Sequence, residues 1–181
     1  MGDDSTYKDE GPAHAVSVSG FWMDAHEVTN AQFAKFVEET GYITVAEQSP
    51  DPADWPADVP AEFLLPGSVL FVPPLPGQRL ENWWSWVPGT NWRHPDGPGS
   101  DLVDKDNYPV IHIAFEDAEA YAKWAGRSLP TEAQFELAAR NKRDGRYAWE
   151  GDELAPNGHH HANTRQGSFP VEPESASRHT G

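Results

Sequence analysis

The sequence predicts an α+β fold with little regular secondary structure. Three segments carry capped, helically spaced apolar residues, and three short apolar runs have strand character. Against these, 17 prolines and 15 glycines in 181 residues leave much of the chain to loops. An apolar content of 38% with 12% aromatic residues is globular rather than disordered. At this length one domain with its own core, spanning residues 1–181, is expected.

Ala15 to Met23 alternates in part, with Val16, Val18 and Phe21 to Met23 apolar, and reads as a strand entering the core. Thr29 and Gln32 then form a capping-box pattern. Phe33, Phe36 and Val37 share one face, and Gly41 stands where a left-handed cap ends a helix, which predicts a helix over about 30–40. Proline and acids dominate Ser49 to Pro76, with one strand-like run, Ser68 to Val72. Trp55, Phe63, Leu64, Leu65 and Phe71 are too many apolar residues for a solvated linker.

Pro95 to Tyr108 is rich in turn residues, and Val110 to Ile113 reads as a short strand entered at Pro109. A second helix is expected over Glu116 to Ala125, where Ala118, Tyr121, Ala122 and Ala125 keep helical spacing and Gly126 follows. Thr131 and Gln134 repeat the cap, and Phe135, Ala138 and Ala139 supply the buried stripe of a third helix ending near Arg140. Loops are expected beyond Asn141.

The charge balance excludes several function classes. Twenty-nine acidic against 13 basic residues give a formal charge of −16, which argues against binding to nucleic-acid backbones or anionic lipid. No apolar run is long enough to span a membrane. With no cysteine, the chain has neither a disulfide framework nor a thiol nucleophile nor a thiolate metal site.

The segment Trp83 to Pro95 is the most unusual, with four of the eight tryptophans inside ten residues, among Gly, Pro and Asn. Its composition fits neither an ordinary strand nor a helix. Clustered indoles supply large contact area and an N–H that wants a partner, so the segment reads as the wall of a groove, with an irregular core as the alternative. His159, His160 and His161 suggest a metal, but adjacent residues of an extended segment point in alternating directions and cannot all face one ion. His94 reads as a structural hydrogen-bonding residue. Asp96, Asp101, Asp104 and Asp106 match neither a calcium-loop spacing nor a carboxylate pair and read as solvated turns.

Taken together, Glu10-Gly-Pro-Ala-His14, Phe21-Trp-Met-Asp24, Glu27-Val-Thr-Asn30, the Trp83 to Pro95 segment and Arg127-Ser-Leu-Pro-Thr-Glu132 resemble the formylglycine-generating enzymes, or sulfatase-modifying factors. Tyr147-Ala-Trp149 and His161-Ala-Asn-Thr164 extend the resemblance over nearly the whole chain. It implies a fold related to C-type lectins. It also implies oxidation of one cysteine of a sulfatase, in a Cys-x-Pro-x-Arg type segment, to Cα-formylglycine by dioxygen, aided by copper(I) on two cysteines.

The family's cysteine pair lies in a C-terminal part that has no counterpart here. The chain is therefore expected to be a truncated domain, the N-terminal two thirds, with no catalytic residue of its own and inactive alone. The resemblance assigns Trp83 to a peptide groove, with Trp84, Trp86 and Asn91 beside it and Ala46 and Ser68 on segments that flank it. It assigns Asn163 and Thr164 to a calcium site, through a side-chain oxygen and a backbone carbonyl, although calcium takes six to eight oxygens. The implied partner is a sulfatase polypeptide, with no nucleic acid and no membrane. Ala122 and Ala139 stand where secretory-pathway relatives carry disulfide cysteines, which implies a cytoplasmic location.

Two alternatives stay open: a non-catalytic, sulfatase-binding paralogue, and the C-terminal domain of an iron-dependent sulfoxide synthase. The Trp92-Arg-His-Pro95 run speaks against the second.

Overall fold

A computed structural model describes residues 1–5, 7–72, 83–140, 147–149 and 151–162. Among the described residues the chain divides into two compact units, one within residues 26–129, the other within residues 1–25 and 130–162.

The first unit is built around α1 (Asn30–Thr40), the hairpin-like pair β1 (Gly67–Phe71) and β2 (Trp84–Pro88), and α2 (Phe115–Trp124). The Thr29 hydroxyl accepts the Gln32 N–H, and Gln32 Oε1 accepts the Thr29 N–H at 2.9 Å, so α1 opens on a complete capping box. Gly41 closes it at φ 68°, a left-handed backbone that glycine adopts without a Cβ clash.

One face of α1 makes the core. Phe33, Phe36 and Val37 are buried together with Trp92, and Tyr121 and Trp124 of α2 pack against them. Phe33 meets Trp92 edge-on at 5.3 Å between ring centres, and Phe36 meets Tyr121 edge-on at 5.6 Å. Such aromatic pairs add about 0.5–1.5 kcal/mol each beyond area burial. Arg93 then lays its guanidinium over the Trp92 ring at 4.2 Å, so Trp92 belongs to the core of this unit.

β1 and β2 run antiparallel, Gly67 opposite Pro88 and Phe71 opposite Trp84. The expectation of an irregular Trp83–Pro95 segment is therefore corrected over its first half. Trp84–Pro88 pairs along its length with Gly67–Phe71, and only from Gly89 (φ 82°) does the chain turn. Two other expectations also fail. Val110–Ile113 makes no strand, because His112 sits at φ 59° and ends the extended run; a single bridge joins Thr29 to Pro109. Ala15–Met23 has no ladder among the described residues, and Trp22 is fully exposed.

In the second unit, α3 (Glu132–Arg140) starts from Thr131, whose N–H donates to Gln134 Oε1 at 2.9 Å while its hydroxyl accepts the Gln134 N–H. The predicted cap is present. The predicted buried stripe is not: Phe135 is 62% exposed, and Ala138 and Ala139 are exposed as well. Glu136 holds both the Gly2 N–H at 3.2 Å and Arg140 Nε at 3.3 Å, so this helix is tied down through a polar face. No helix among the described residues is long and apolar enough to cross a membrane.

Candidate functional site

A cleft of about 550 Å³ opens in the first unit where three separate segments converge. One wall is the 3-10 turn Val45–Glu47 with the residues after it, contributing Val45, Ala46, Gln48, Ser49 and Pro50. The second comes from the strand pair and contributes Gly67, Ser68 and Trp86. The third is His112, Ile113 and Ala114, and Trp55 closes the rim.

Buried polar groups anchor the first and third walls. Asp117, in the first turn of α2, is fully buried and accepts three bonds: from the Tyr42 hydroxyl at 3.1 Å, the Val45 N–H at 3.0 Å and the Ala114 N–H at 2.8 Å. One carboxylate thus fastens the first wall to the third. Burial and the neighbouring Asp117 carboxylate push the Tyr42 phenol up to about 12 from 10.0, because ionising it would set two anions side by side.

Thr44, also fully buried, has its N–H and hydroxyl taken by Glu47 Oε2 at 3.1 and 2.8 Å. The other Glu47 oxygen binds Arg93, which ties the first wall to the segment that carries Trp92. His112 joins the second wall to the third, with Nδ1 2.9 Å from Ser68 Oγ and Nε2 2.9 Å from the Pro95 carbonyl oxygen.

The second wall is shaped by glycine. A Cβ on Gly67 would lie 2.7 Å from the Val87 carbonyl oxygen and 3.2 Å from Trp86 Nε1. The missing side chain lets the Trp86 ring lie close over the strand, where its indole nitrogen is buried. Phe63 stands 6.3 Å from Trp86 and 6.2 Å from Trp55, so an aromatic row runs from the strand pair to the rim.

The structure brings together Ala46, Ser68 and Trp86 among the residues that the resemblance assigned to a groove. The others fall elsewhere. Trp84 is 58% exposed and packs edge-on against Phe71 at 5.3 Å. Trp83 is half-buried and accepts the Val72 N–H through its carbonyl. Asn91 spends its side chain inside its own turn, donating to the Gly89 carbonyl at 3.2 Å and accepting the Arg93 N–H at 2.9 Å. Asn163 and Thr164 lie outside the described residues.

From sequence, Trp55 is read only as an apolar residue of its segment, and His112 and Asp117 are missed. A polar residue inside the apolar run Val110-Ile-His-Ile-Ala114 was the available signal for His112. Asp117 was hidden as a first-turn acid, which usually faces solvent near a helix N-terminus.

Elsewhere in this unit, His94 Nδ1 lies 2.6 Å from the Ser100 carbonyl oxygen, a structural bond. Asp96 pairs with Lys105 at 3.0 Å, and Asp101 caps the Val103 N–H at 3.1 Å. In the second unit a cleft of about 540 Å³ is lined by Asp3, Asp9, Glu10, Glu132, Glu136 and Arg140. Among the described residues no group of three His, Asp or Glu side chains is placed to hold a metal ion.

Comparison with known proteins places this geometry in context. The family described as "Sulfatase-modifying factor enzyme 1-like domain" matches residues 1–180. A formylglycine-generating enzyme of Mycobacterium tuberculosis is 49% identical over 97% of this chain and 59% of its own length. The enzyme of the same name from Thermomonospora curvata is 44% identical over 95% of this chain and 54% of its own. The mouse protein named inactive C-alpha-formylglycine-generating enzyme 2 is 40% identical over 89% of this chain and 49% of its own length. The chain therefore spans roughly half to three fifths of these relatives. With its match running over residues 1–180, the chain belongs to the sulfatase-modifying factor enzyme 1-like family.

Proposed function

We propose that this chain forms the peptide-holding part of an oxidase that converts a sulfatase cysteine to Cα-formylglycine. Family membership and 49% identity to a relative named for that activity support the reaction class. The observation that carries the peptide reading is one cleft lined by Ala46, Ser68 and Trp86, with Trp55 at its rim. Rigid aromatic walls give contact area at little entropic cost, which suits an extended segment of Cys-x-Pro-x-Arg type. The net charge of −16 suits its arginine.

In the reaction the Cβ–S bond breaks and the sulfur leaves as hydrogen sulfide, the β-carbon is oxidised by two electrons to an aldehyde, and dioxygen is reduced to water, taking its other two electrons from an external thiol that ends as a disulfide. Copper(I) on two thiolates does not fit the residues of this chain, which has no cysteine, so its residues are assigned binding and orientation alone. Calcium fits the donor type of Asn163 and Thr164, hard oxygens, but these are two of the six to eight it takes. A reducing, cytoplasmic setting is part of the same proposal: alanine at 122, buried on α2, needs no disulfide partner.

A second reading, a sulfatase-binding protein without catalysis, is favoured by the 40% identity to a relative named inactive. One experiment separates them. The full-length protein, supplied with copper and a thiol reductant, is mixed with a Cys-x-Pro-x-Arg peptide in air, binding is followed by fluorescence anisotropy, and aldehyde by hydrazide trapping and mass spectrometry. Binding with aldehyde supports the oxidase, binding without it supports the second reading, and no binding overturns both.

A further inference from the structure

Both ring nitrogens of His112 are engaged at the corner where the strand pair meets the third wall of the cleft. The Pro95 carbonyl oxygen can only accept, so Nε2, 2.9 Å away, carries the proton. A neutral imidazole has one N–H, which leaves Nδ1 as a bare acceptor facing Ser68 Oγ at 2.9 Å. The Ser68 hydroxyl must then donate to His112. Its single proton is committed to the ring, and only lone pairs remain for a molecule in the cleft. A backbone at φ 59° is uncommon for a residue with a Cβ, and at His112 it coincides with a ring bonded to two different segments.

We propose that His112 is a positioning residue that fixes Ser68 as a hydrogen-bond acceptor, so that this corner of the cleft takes a backbone N–H of an extended peptide. The inference rests on the peptide-binding reading above and names the chemistry of one subsite within it. Ala46 presents no side-chain polar atom to the cleft, and Trp86 keeps its indole nitrogen buried. Among these three lining residues the serine oxygen is therefore the one that can discriminate donors from acceptors.

The test is a series of Cys-x-Pro-x-Arg peptides in which each non-proline backbone amide is replaced in turn by an ester, which removes the N–H without adding bulk. Dissociation constants are measured with the full-length protein, its Ser68→Ala variant and its His112→Phe variant. One ester position should weaken binding to the unmodified protein by about tenfold, the scale of one well-made hydrogen bond. The same ester should cost about twofold or less in Ser68→Ala, and the dependence should also shrink in His112→Phe, where the hydroxyl is released to rotate. If no ester position depends on Ser68, the inference is overturned. It is equally overturned if His112→Phe keeps the full dependence, since Ser68 then accepts unaided. The Ser68→Ala cycle decides the matter even if His112→Phe does not fold. Failure of the unmodified peptide to bind at all strikes the peptide-binding reading itself, and this subsite falls with it.

Discussion

The Asp117 carboxylate accepts the Tyr42 hydroxyl at 3.1 Å, and the same oxygen takes the Val45 N–H at 3.0 Å. Tyr42 also packs on Phe36 at 5.1 Å between ring centres, so one side chain links the aromatic core to the cleft wall. The core fixes α1 and α2, and the carboxylate carries that rigidity to Val45 and Ala114.

Removing the acceptor should loosen both ends at once. Asp117→Ala leaves the Tyr42 hydroxyl and two backbone N–H groups without their partner. Each buried unsatisfied group costs about 1–3 kcal/mol, so a loss of several kcal/mol in urea unfolding is expected. Asp117→Asn keeps one carbonyl oxygen and should fall between the two. Equal stability of all three proteins would show that the site is solvated and that the three bonds carry little.

Tyr42 should ionise well above the ordinary range of a tyrosine phenol. Its phenol is pushed up to about 12 from 10.0 by burial first and by Asp117 next. The folded state therefore holds the proton more tightly than the unfolded chain. The associated stability is fully present below pH 10 and is lost as pH rises from 10 through about 12. Alkaline titration at the tyrosinate absorbance band, with Tyr42→Phe as the difference control, should show the missing transition at the high end. A difference spectrum centred near pH 10 would contradict the Asp117 contact.

The caps were legible because their signals are local: Thr29 with Gln32 and Thr131 with Gln134 fold as the residues three apart require. The buried face of α1 was legible for the same reason. Trp84–Pro88 was not, because its bulky and turn-forming residues mask its strand character, and strand pairing depends on Gly67–Phe71, a separate segment of the sequence. The Phe135 stripe misled because spacing reports which residues share a face, not what covers it. The cleft itself is built from segments 45–50, 67–68 and 112–114. No spacing rule joins residues that far apart, and Asp117 and His112, the groups that join them, each look ordinary in sequence.

Gly67→Ala should destabilise the protein although it adds one methyl group. The new Cβ would stand 2.7 Å from the Val87 carbonyl oxygen and 3.0 Å from Pro88 Cα, both backbone atoms that cannot swing aside. Overpacking of this kind costs about 1–3 kcal/mol. Thermal melting of the variant beside Gly41→Ala, whose added Cβ meets nothing within 4 Å but sits at φ 68°, separates steric contact from backbone strain. An unchanged melting temperature for Gly67→Ala would mean that the strand pair lies further apart than 2.7 Å implies.

Trp84 and Trp86 lie two residues apart on β2 and should part company in binding. Trp86 lines the cleft beside Gly67 and Ser68, whereas Trp84 is 58% exposed against Phe71. If an extended peptide occupies the cleft, Trp86→Ala removes a ring that contacts it, and hot-spot aromatics cost about 2 kcal/mol or more, some thirtyfold in Kd. Trp84→Ala removes a ring outside the cleft and should change Kd by about twofold or less. Anisotropy titration of a Cys-x-Pro-x-Arg peptide against both variants of the full-length protein, with far-ultraviolet dichroism to confirm folding, gives the comparison. Loss of binding on Trp84→Ala with Trp86→Ala unaffected would move the peptide to the opposite end of the strand and out of this cleft.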